Sequence, residues 1–354
     1  MVTSKAMKPV VRAFESADLP AAARLHARLY RHEGHDDVDW YFSLWRWLEA
    51  HPLGGDICRW VLSDGDQMVG FLAVVPQFYR IGGERVVAHT PTDYMVEPHH
   101  GFHAISLMRE FFRSCPNCVS CDWLPTTIGV IKWLGAEEAG EFQHFVKVLD
   151  FSLFSRAIPG PLRWLLNRGL EVVDKALMGA PGPFKVEVLE GFDERFDRLF
   201  EKVAAAIPCL PEKDAAFLRW RYGPGSPHAE KFIIAVQGEE GLLGYAVLRI
   251  TWTGRDGYVM DLTVLPGRHD VARELLRYAV GHFRRAGAQV IRYRYMESPS
   301  SPRAADVKRL GFFLRKWRHR LLVRFQDPGL QKVARQANHW AYNAGDGEMS
   351  FWVR

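Results

Sequence analysis

Apolar and polar positions along the chain change period in a fixed order, and that order runs twice. Residues 10–15 (VVRAFE) alternate with period two and predict a strand. Residues 19–30 (LPAAARLHARLY) and 36–50 (DDVDWYFSLWRWLEA) carry apolar side chains at helical spacing. Asp18 can accept hydrogen bonds from the free amides of the first helix, and Pro20 suits its first turn. Three strands follow at residues 59–64, 67–81 and 84–96, joined at Asp64-Gly65 and Gly82-Gly83, both hairpin signals. Then come a loop (VEPHHGFHAISLM, residues 96–108), a helix over 103–113, a strand over 118–124, a helix over 127–135 and a strand over 144–154.

The second pass has the same succession: a strand at 184–192, helices at 193–207 and 214–223, and strands at 231–238, 241–252 and 257–265. A strongly amphipathic helix at 270–287, a strand at 288–296, a helix at 302–311 and a strand at 318–325 complete it. Landmarks keep their spacing. Gly70 answers Gly244, Pro98 answers Pro266 and Gly135 answers Gly311, at offsets of 174, 168 and 176 residues. Such regularity indicates an internal duplication. Between the copies lies SRAIPGPLRWLLNRGLEVVDKALMGAPGPF, helical in its middle with Pro-Gly at both ends, the composition of a domain boundary. The expected organisation is an N-terminal domain over 1–155, a helical linker over 156–183, and a C-terminal domain with a tail over 184–354.

Composition adds limits. The 354 residues suit two domains, and 48% hydrophobic with 25% charged residues is ordinary for a globular chain with sizeable cores. A net charge of +5 is compatible with an anionic small molecule and too weak to argue for nucleic acid. The clusters FRRAG, IRYRYM and LRKWRHRLLVR alternate at period two, which reads as strands with one wet face. No apolar run is long enough to span a membrane, and the first residues lack the apolar core of a signal peptide, so the expected location is the cytoplasm. In the linker, Leu162, Trp164, Leu165, Leu170, Val173 and Leu177 form an apolar stripe. The expectation is a packing helix between domains, with a helix lying on a membrane surface as the alternative.

Five cysteines, an odd number, argue against a disulfide framework. Three form Cys115-x2-Cys118-x2-Cys121. A metal site would need a fourth ligand, and a strand through Cys118 and Cys121 turns them to opposite faces, so the expectation is buried thiols and no metal.

The order strand, helix, helix, three-stranded meander, loop, helix, strand, helix, strand resembles the GNAT fold, the Gcn5-related N-acetyltransferases. VRAFESADLPAAARL, MVGFLAVVP, VEPHHGFHAISLM and VIKWLG carry the likeness in the first copy. FLRWRY, GYAVLR, VMDLTVLP and VKRLGFF carry it in the second. The tail HWAYNAGDGEM also looks like the ending of tandem GNAT-like proteins found with cell-surface polysaccharide biosynthesis. The resemblance implies an α+β chain of two tandem GNAT domains, each a mixed, mostly antiparallel sheet flanked by helices. It further implies acetyl-CoA or another acyl-CoA as acyl donor, possible delivery by acyl carrier protein, and an amine acceptor such as an amino sugar or small metabolite.

In that family the acyl-CoA pyrophosphate lies on amides of a loop patterned Arg/Gln-x-x-Gly-x-Gly/Ala, where a helix N-terminus favours an anion and glycine permits close approach. Here the matching stretch is Val96, His100, Gly101, Phe102, His103 and Ala104, with one glycine kept. The second copy's loop, with Gly267 and Arg268, departs further. The family's tyrosine acid falls on Ile131 and Val307, neither of which transfers a proton. His89, Asp93, Tyr94 and Asp122 are the remaining candidates for proton transfer from an amine, each with a structural reading as a hydrogen-bonded sheet residue. The rival to an acyltransferase is a catalytically silent duplicate that binds a ligand or partner.

Overall fold

A computed structural model describes residues 9–31, 37–154, 157–180, 182–227, 231–316 and 319–353. Of the residues used above, 1–8, Asp36, Ser155, Arg156, Pro181, Trp317 and Arg318 lie outside this set. The first copy contains β1 (Val10–Ala13), α1 (Leu19–Tyr30), α2 (Val38–Glu49), β2 (Cys58–Asp64), β3 (Gln67–Ile81), β4 (Glu84–Val96), α3 (Ala104–Ser114), β5 (Cys118–Asp122), α4 (Pro125–Trp133), β6 (Glu137–Glu141) and β7 (Gln143–Val148). After α5 (Gly160–Met178), the second contains β8 (Val186–Leu189), α6 (Glu194–Ala204), β9 (Cys209–Pro211), α7 (Ala215–Tyr222), β10 (Lys231–Gly238), β11 (Gly241–Ile250), β12 (Asp256–Val264), α8 (His269–Arg285), β13 (Val290–Met296), α9 (Ala304–Arg309), β14 (Phe313–Leu314) and β15 (Arg320–Arg324). The tail adds α10 (Pro328–Ala334) and β16 (Tyr342–Asn343).

The chain is α+β with two mixed sheets; the first takes β15 and, beside β3, the short β9 from the second copy, and the second takes β7 from the first. The first runs β1-β2-β3-β4-β5-β15-β6, the second β14-β7-β13-β12-β11-β10-β8. β15 fills the slot between β5 and β6, with Leu321 opposite Cys121 on one side and Gly140 on the other. β7 takes the matching slot beside β13, with Tyr293 opposite Phe145. β6 (EEAGE) has no apolar alternation of its own and was not foreseen; the β15 ladder supplies it.

The repeated landmarks have physical causes. A Cβ on Gly70 would lie 3.0 Å from Val96 Cγ2, and one on Gly244 would lie 2.5 Å from Val264 Cγ1, so in both copies the third strand crosses the end of the fourth too closely for a side chain. Gly135 and Gly311 adopt φ of 97° and 83° just after α4 and α9, a left-handed helix exit that favours glycine.

Helices cover both faces of each sheet. α1 and α2 bury Leu25, Tyr41, Trp45 and Leu48 on one face of the first sheet, and α3 buries Leu107, Met108 and Phe111 on the other. At the junction of the copies Trp47 of α2 and Trp220 of α7 stack with ring centroids 4.7 Å apart, inclined by 5°. Each indole N–H donates to the other's backbone carbonyl at 2.9 Å. These two positions answer each other in the duplication, so the contact is a pseudo-two-fold handshake.

α5 departs from expectation. Of the stripe, Leu162, Trp164, Leu165, Val173 and Leu177 face solvent and Leu170 is half-buried; the deeply buried residue is Asp174, which accepts from Lys147 Nζ at 2.7 Å and pairs with Arg284. The stripe is therefore largely exposed, and the ion pair of Asp174 is what holds the helix down. Among the described residues no helix is long and apolar enough to cross a membrane.

Trp47→Ala should cost about 3–5 kcal/mol, as expected for deleting a large buried aromatic, and Trp220→Ala, at a half-buried ring, less. The double variant should lose clearly less than the sum, since each deletion already removes the shared contact. Urea titrations of the four proteins measure this.

Candidate functional site

The fourth and fifth strands of the first copy are parallel neighbours that pair only at His89 and Cys118. Beyond that point β4 and β5 part, leaving a wedge bordered by Thr92–Val96 on one strand and Ser120–Asp122 on the other. A bulge sits on the wedge side. The register against β3 jumps from Phe71↔Met95 to Ala73↔Thr92, so Asp93 and Tyr94 together oppose one residue. Asp93 takes φ of 51°, the one described non-glycine residue with positive φ, at a cost that a short polar side chain keeps small. Two buried side chains hold it there: His26 Nδ1 lies 3.0 Å from Oδ1, and the Tyr41 hydroxyl donates to Oδ2. Asp93 is thus enclosed by α1 and α2 and acts on the backbone of the bulge.

Tyr94 and Thr92 differ from it. The Tyr94 hydroxyl and Thr92 Oγ1 are buried without hydrogen-bond partners. Tyr94 packs against the α3 cluster that also contains Ile131. Burial pushes its phenol up, so it stays protonated at neutral pH. Asp122 closes β5, its Oδ1 accepting from the amides of Trp123 and Leu124 at 2.6 and 2.8 Å. Burial nonetheless raises its pKa, the two amides opposing the rise.

A further carboxyl comes from the tail. The turn Glu348–Ser350 packs against β4, and Glu348 shares the electrostatic surroundings of Asp122, Cys118 and Cys121. Burial lifts its carboxyl to about 8, and the charge of Asp122 adds to the lift; Oε2 has no hydrogen-bond partner. The second copy holds the tail in place. The Arg221 guanidinium of α7 donates to the carbonyls of Gly345 and Gly347 at 2.9 and 2.8 Å and lies over the Phe351 ring. Sequence reading missed Glu348 because nothing local marks it; only the fold brings residue 348 to β5.

The corresponding wedge of the second copy is filled by the chain itself. β12 and β13 pair from Asp256↔Val290 to Val259↔Tyr293, and β16 then pairs with Tyr295 and Met296 of β13. Asn343 Nδ2 bonds Asp261 Oδ1 at 3.2 Å, while Lys213 Nζ bonds Asp261, Thr263 and Asp346 at 3.1, 2.9 and 3.4 Å. Asp261 answers Asp93 in the duplication, and this repeated acid was a readable signal that went unused. Burial raises Asp346 to about 7, with Lys213 opposing.

The loop before α3 is a tight turn over Pro98–His103. Gly101 and Phe102 are exposed, and a Cβ on Gly101 would meet nothing within 4 Å. His100 N–H already bonds Glu97 O at 2.8 Å, Ala104 N–H bonds back to Gly101 O, and His100 Nε2 lies 3.2 Å from Asp64 Oδ2. His89 turns to other partners: a ring nitrogen gathers with the sulfurs of Cys58 and Cys115. Cys115, Cys118 and Cys121 do not converge. Cys118 faces the α3 cluster, Cys121 faces the tail cluster, and burial raises both thiols.

This architecture is a tandem GNAT-like fold. A GNAT from Anabaena variabilis matches with TM-score 0.59 at 14% identity, over 90% of this chain and 73% of that one. N-myristoyltransferase from Saccharomyces cerevisiae, solved with myristoyl-CoA bound, matches with TM-score 0.60 at 10% identity, over 95% and 91%. A probable N-acyltransferase from Enterococcus faecalis matches at 0.58 and 11%, over 90% and 73%. At such identities the likeness is one of fold. No family model and no curated protein matches this chain.

Stability should depend on pH in a way these groups set. Glu348 and Asp346 titrate near 8 and 7 in the folded chain, against about 4.3 and 3.9 unfolded, so stability falls as pH rises across that interval. Burial holds His51, His144 and His319 neutral down to about 4, 3 and 3, so stability also falls as pH drops below their unfolded value of about 6.5. The optimum should lie near about pH 6. Glu348→Gln should flatten the alkaline limb, read as urea midpoints between pH 5 and 9.

Proposed function

We propose that the protein transfers an acyl group from an acyl thioester of CoA to an amine, in the wedge of the first copy. One contrast carries this reading. The first wedge is bordered on β4 by Tyr94, whose phenol has no partner, and at the end of β5 by Asp122 with Glu348, whose carboxyl titrates near 8, while the second is filled by the chain's own tail. In this reading the acyl thioester enters between β4 and β5, with its diphosphate at the turn of His100, Gly101, Phe102, His103 and Ala104. Glu348, with Asp122 beside it, takes the proton from the attacking amine, a task that suits a base titrating near the working pH. Tyr94, in the cluster around Ile131, supplies the proton for the departing thiolate, since the family's usual acid is replaced there by isoleucine. Asp93 fixes the bulge, and His89 takes no part. Amino sugars and small metabolite amines are the acceptors to try. Myristoyl-CoA, bound in one structural neighbour, belongs with acetyl-CoA among the donors.

The second reading, binding without turnover, is favoured by the engaged amides of His100 and Ala104 and by the apolar Ile131 and Val307. Kinetics separates the two. Under the first, Glu348→Gln lowers kcat by about 10²–10⁴ and removes a rate increase toward alkaline pH, with thioester affinity kept. Tyr94→Phe lowers kcat less for donors with better leaving groups. Saturable binding with no turnover over a broad amine panel would establish the second reading.

Binding itself has a clean probe. Gly101 has no positive φ and open space at its Cβ position, so Gly101→Ala should fold and bind normally. Gly101→Asp should fold equally well and lose at least about tenfold in affinity, because it sets a negative charge where a diphosphate must approach. Gly267→Asp should leave affinity intact although it strains a φ of 82°. Calorimetry with acetyl- and long-chain acyl-CoA decides; equal affinity in the parent and Gly101→Asp removes this site.

A further inference from the structure

Three donors from separate parts of the first copy meet on the α3 side of the first sheet. Cys58 begins β2, His89 lies midway along β4, and Cys115 follows the last turn of α3. The two sulfurs and an imidazole nitrogen all lie within 4.8 Å of one another. Among the described residues this is the one group of His, Cys, Asp and Glu side chains that converges in this way.

The imidazole is oriented for ligation. Nδ1 is buried and has no hydrogen-bond partner. The backbone carbonyl of Asp56 lies close to the ring. With the proton on Nε2, the Nδ1 lone pair would be free to ligate, and an outer partner of this kind is how metal-binding histidines have their tautomer fixed. The same carbonyl receives the Cys58 thiol at 3.6 Å, so one backbone group lies beside two of the three donors. A buried imidazole nitrogen without a partner, on a ring that meets two thiols, is an unsatisfied acceptor that a cation would fill.

We infer that Cys58, His89 and Cys115 form a zinc site. Two thiolates and a neutral imidazole are the donor set that borderline-soft, tetrahedral Zn²⁺ prefers, with a fourth position left for solvent. Tetrahedral bonds of about 2.3 Å to sulfur and 2.0 Å to nitrogen place neighbouring donors about 3.5–3.8 Å apart, reached from the present separations by small side-chain rotations. Binding releases the two thiol protons, forms two Zn–S bonds and one Zn–N bond, and changes no oxidation state. The ion would clip the turn at Gly54–Asp56 and the end of α3 onto β4 next to the single pairing that starts the wedge. With three protein ligands and one solvent position, it would have the open coordination sphere that a closed four-ligand zinc site lacks.

The test uses the full chain purified without chelator, then stripped and titrated with Zn²⁺ or Co²⁺. The expected result is close to one equivalent of metal bound and a Tm that rises with Zn²⁺ and falls on chelation. The Co²⁺ form should show intense thiolate-to-cobalt charge transfer with the visible bands of tetrahedral coordination. Cys58→Ser, which alters a half-buried side chain, should fold, lose the charge-transfer intensity by about half or more and weaken Zn²⁺ binding at least tenfold. His89→Ala should weaken binding similarly but keep the sulfur-to-cobalt bands. Cys209→Ser, in a different core cluster, should match the parent. The inference is overturned by substoichiometric metal in the reduced parent. Octahedral cobalt spectra without charge transfer, or equal effects in Cys209→Ser and Cys58→Ser, would overturn it too. A Cys58–Cys115 disulfide by mass spectrometry in a protein that takes no metal after reduction would also overturn it, and would make the pair a redox element instead.

Discussion

Everything in this structure depends on the exchange of one strand between the two copies. β15 lies between β5 and β6, and β7 lies beside β13, so neither sheet is complete without residues from the other half of the chain. A strand between two neighbours satisfies backbone groups on both edges; withdrawn, it would leave both flanking strands with unpaired donors and acceptors. The exchange therefore couples the copies more firmly than packing alone could. Trp47 and Trp220 repeat the logic in side chains, each indole closing on the carbonyl beside the other. The pairing of Arg324 with Cys118 is very long in sequence separation, a topology expected to fold slowly.

The same coupling makes the halves unequal. A duplicated fold begins with two equivalent wedges, but only one tail follows the second copy. That tail first fills the wedge between β12 and β13 with Tyr342–Asp346, then crosses to the first copy, where Glu348 meets β5 and Trp352 stacks on His26. Arg221 is the pivot, its guanidinium spent on two tail carbonyls. One segment thus closes one site and supplies a carboxyl to the other, which gives a physical reason why the copies' loops have diverged in different directions.

The buried charges follow from this arrangement. Lys213 is shared between Asp261 and Asp346, and Glu348 lies near Asp122 with an oxygen that has no partner. A well-packed apolar tail would be more stable, because burying a carboxyl without full compensation is costly. If the end of β5 is the reacting centre proposed above, these groups set stability against chemistry in the same few residues.

The sequence by itself determined the main helices and strands, their order and the repeated pattern, because those rest on local periodicity and on glycines needed for close strand crossings or left-handed exits, as at Gly70, Gly244, Gly135 and Gly311. It also reached Asp93, Tyr94 and Asp122 as polar residues at the ends of β4 and β5. It did not separate their parts: that Asp93 is enclosed by His26 and Tyr41, or that His89 turns to Cys58 and Cys115, depends on partners tens of residues away. β6 was illegible because its pairing strand lies in the other copy, and Glu348 because its neighbours are reached only through the tail. Side-chain period is a property of a segment and can be read from it. Strand exchange, wedge filling and carboxyl burial are properties of contacts between remote segments, and only the tertiary structure decided them.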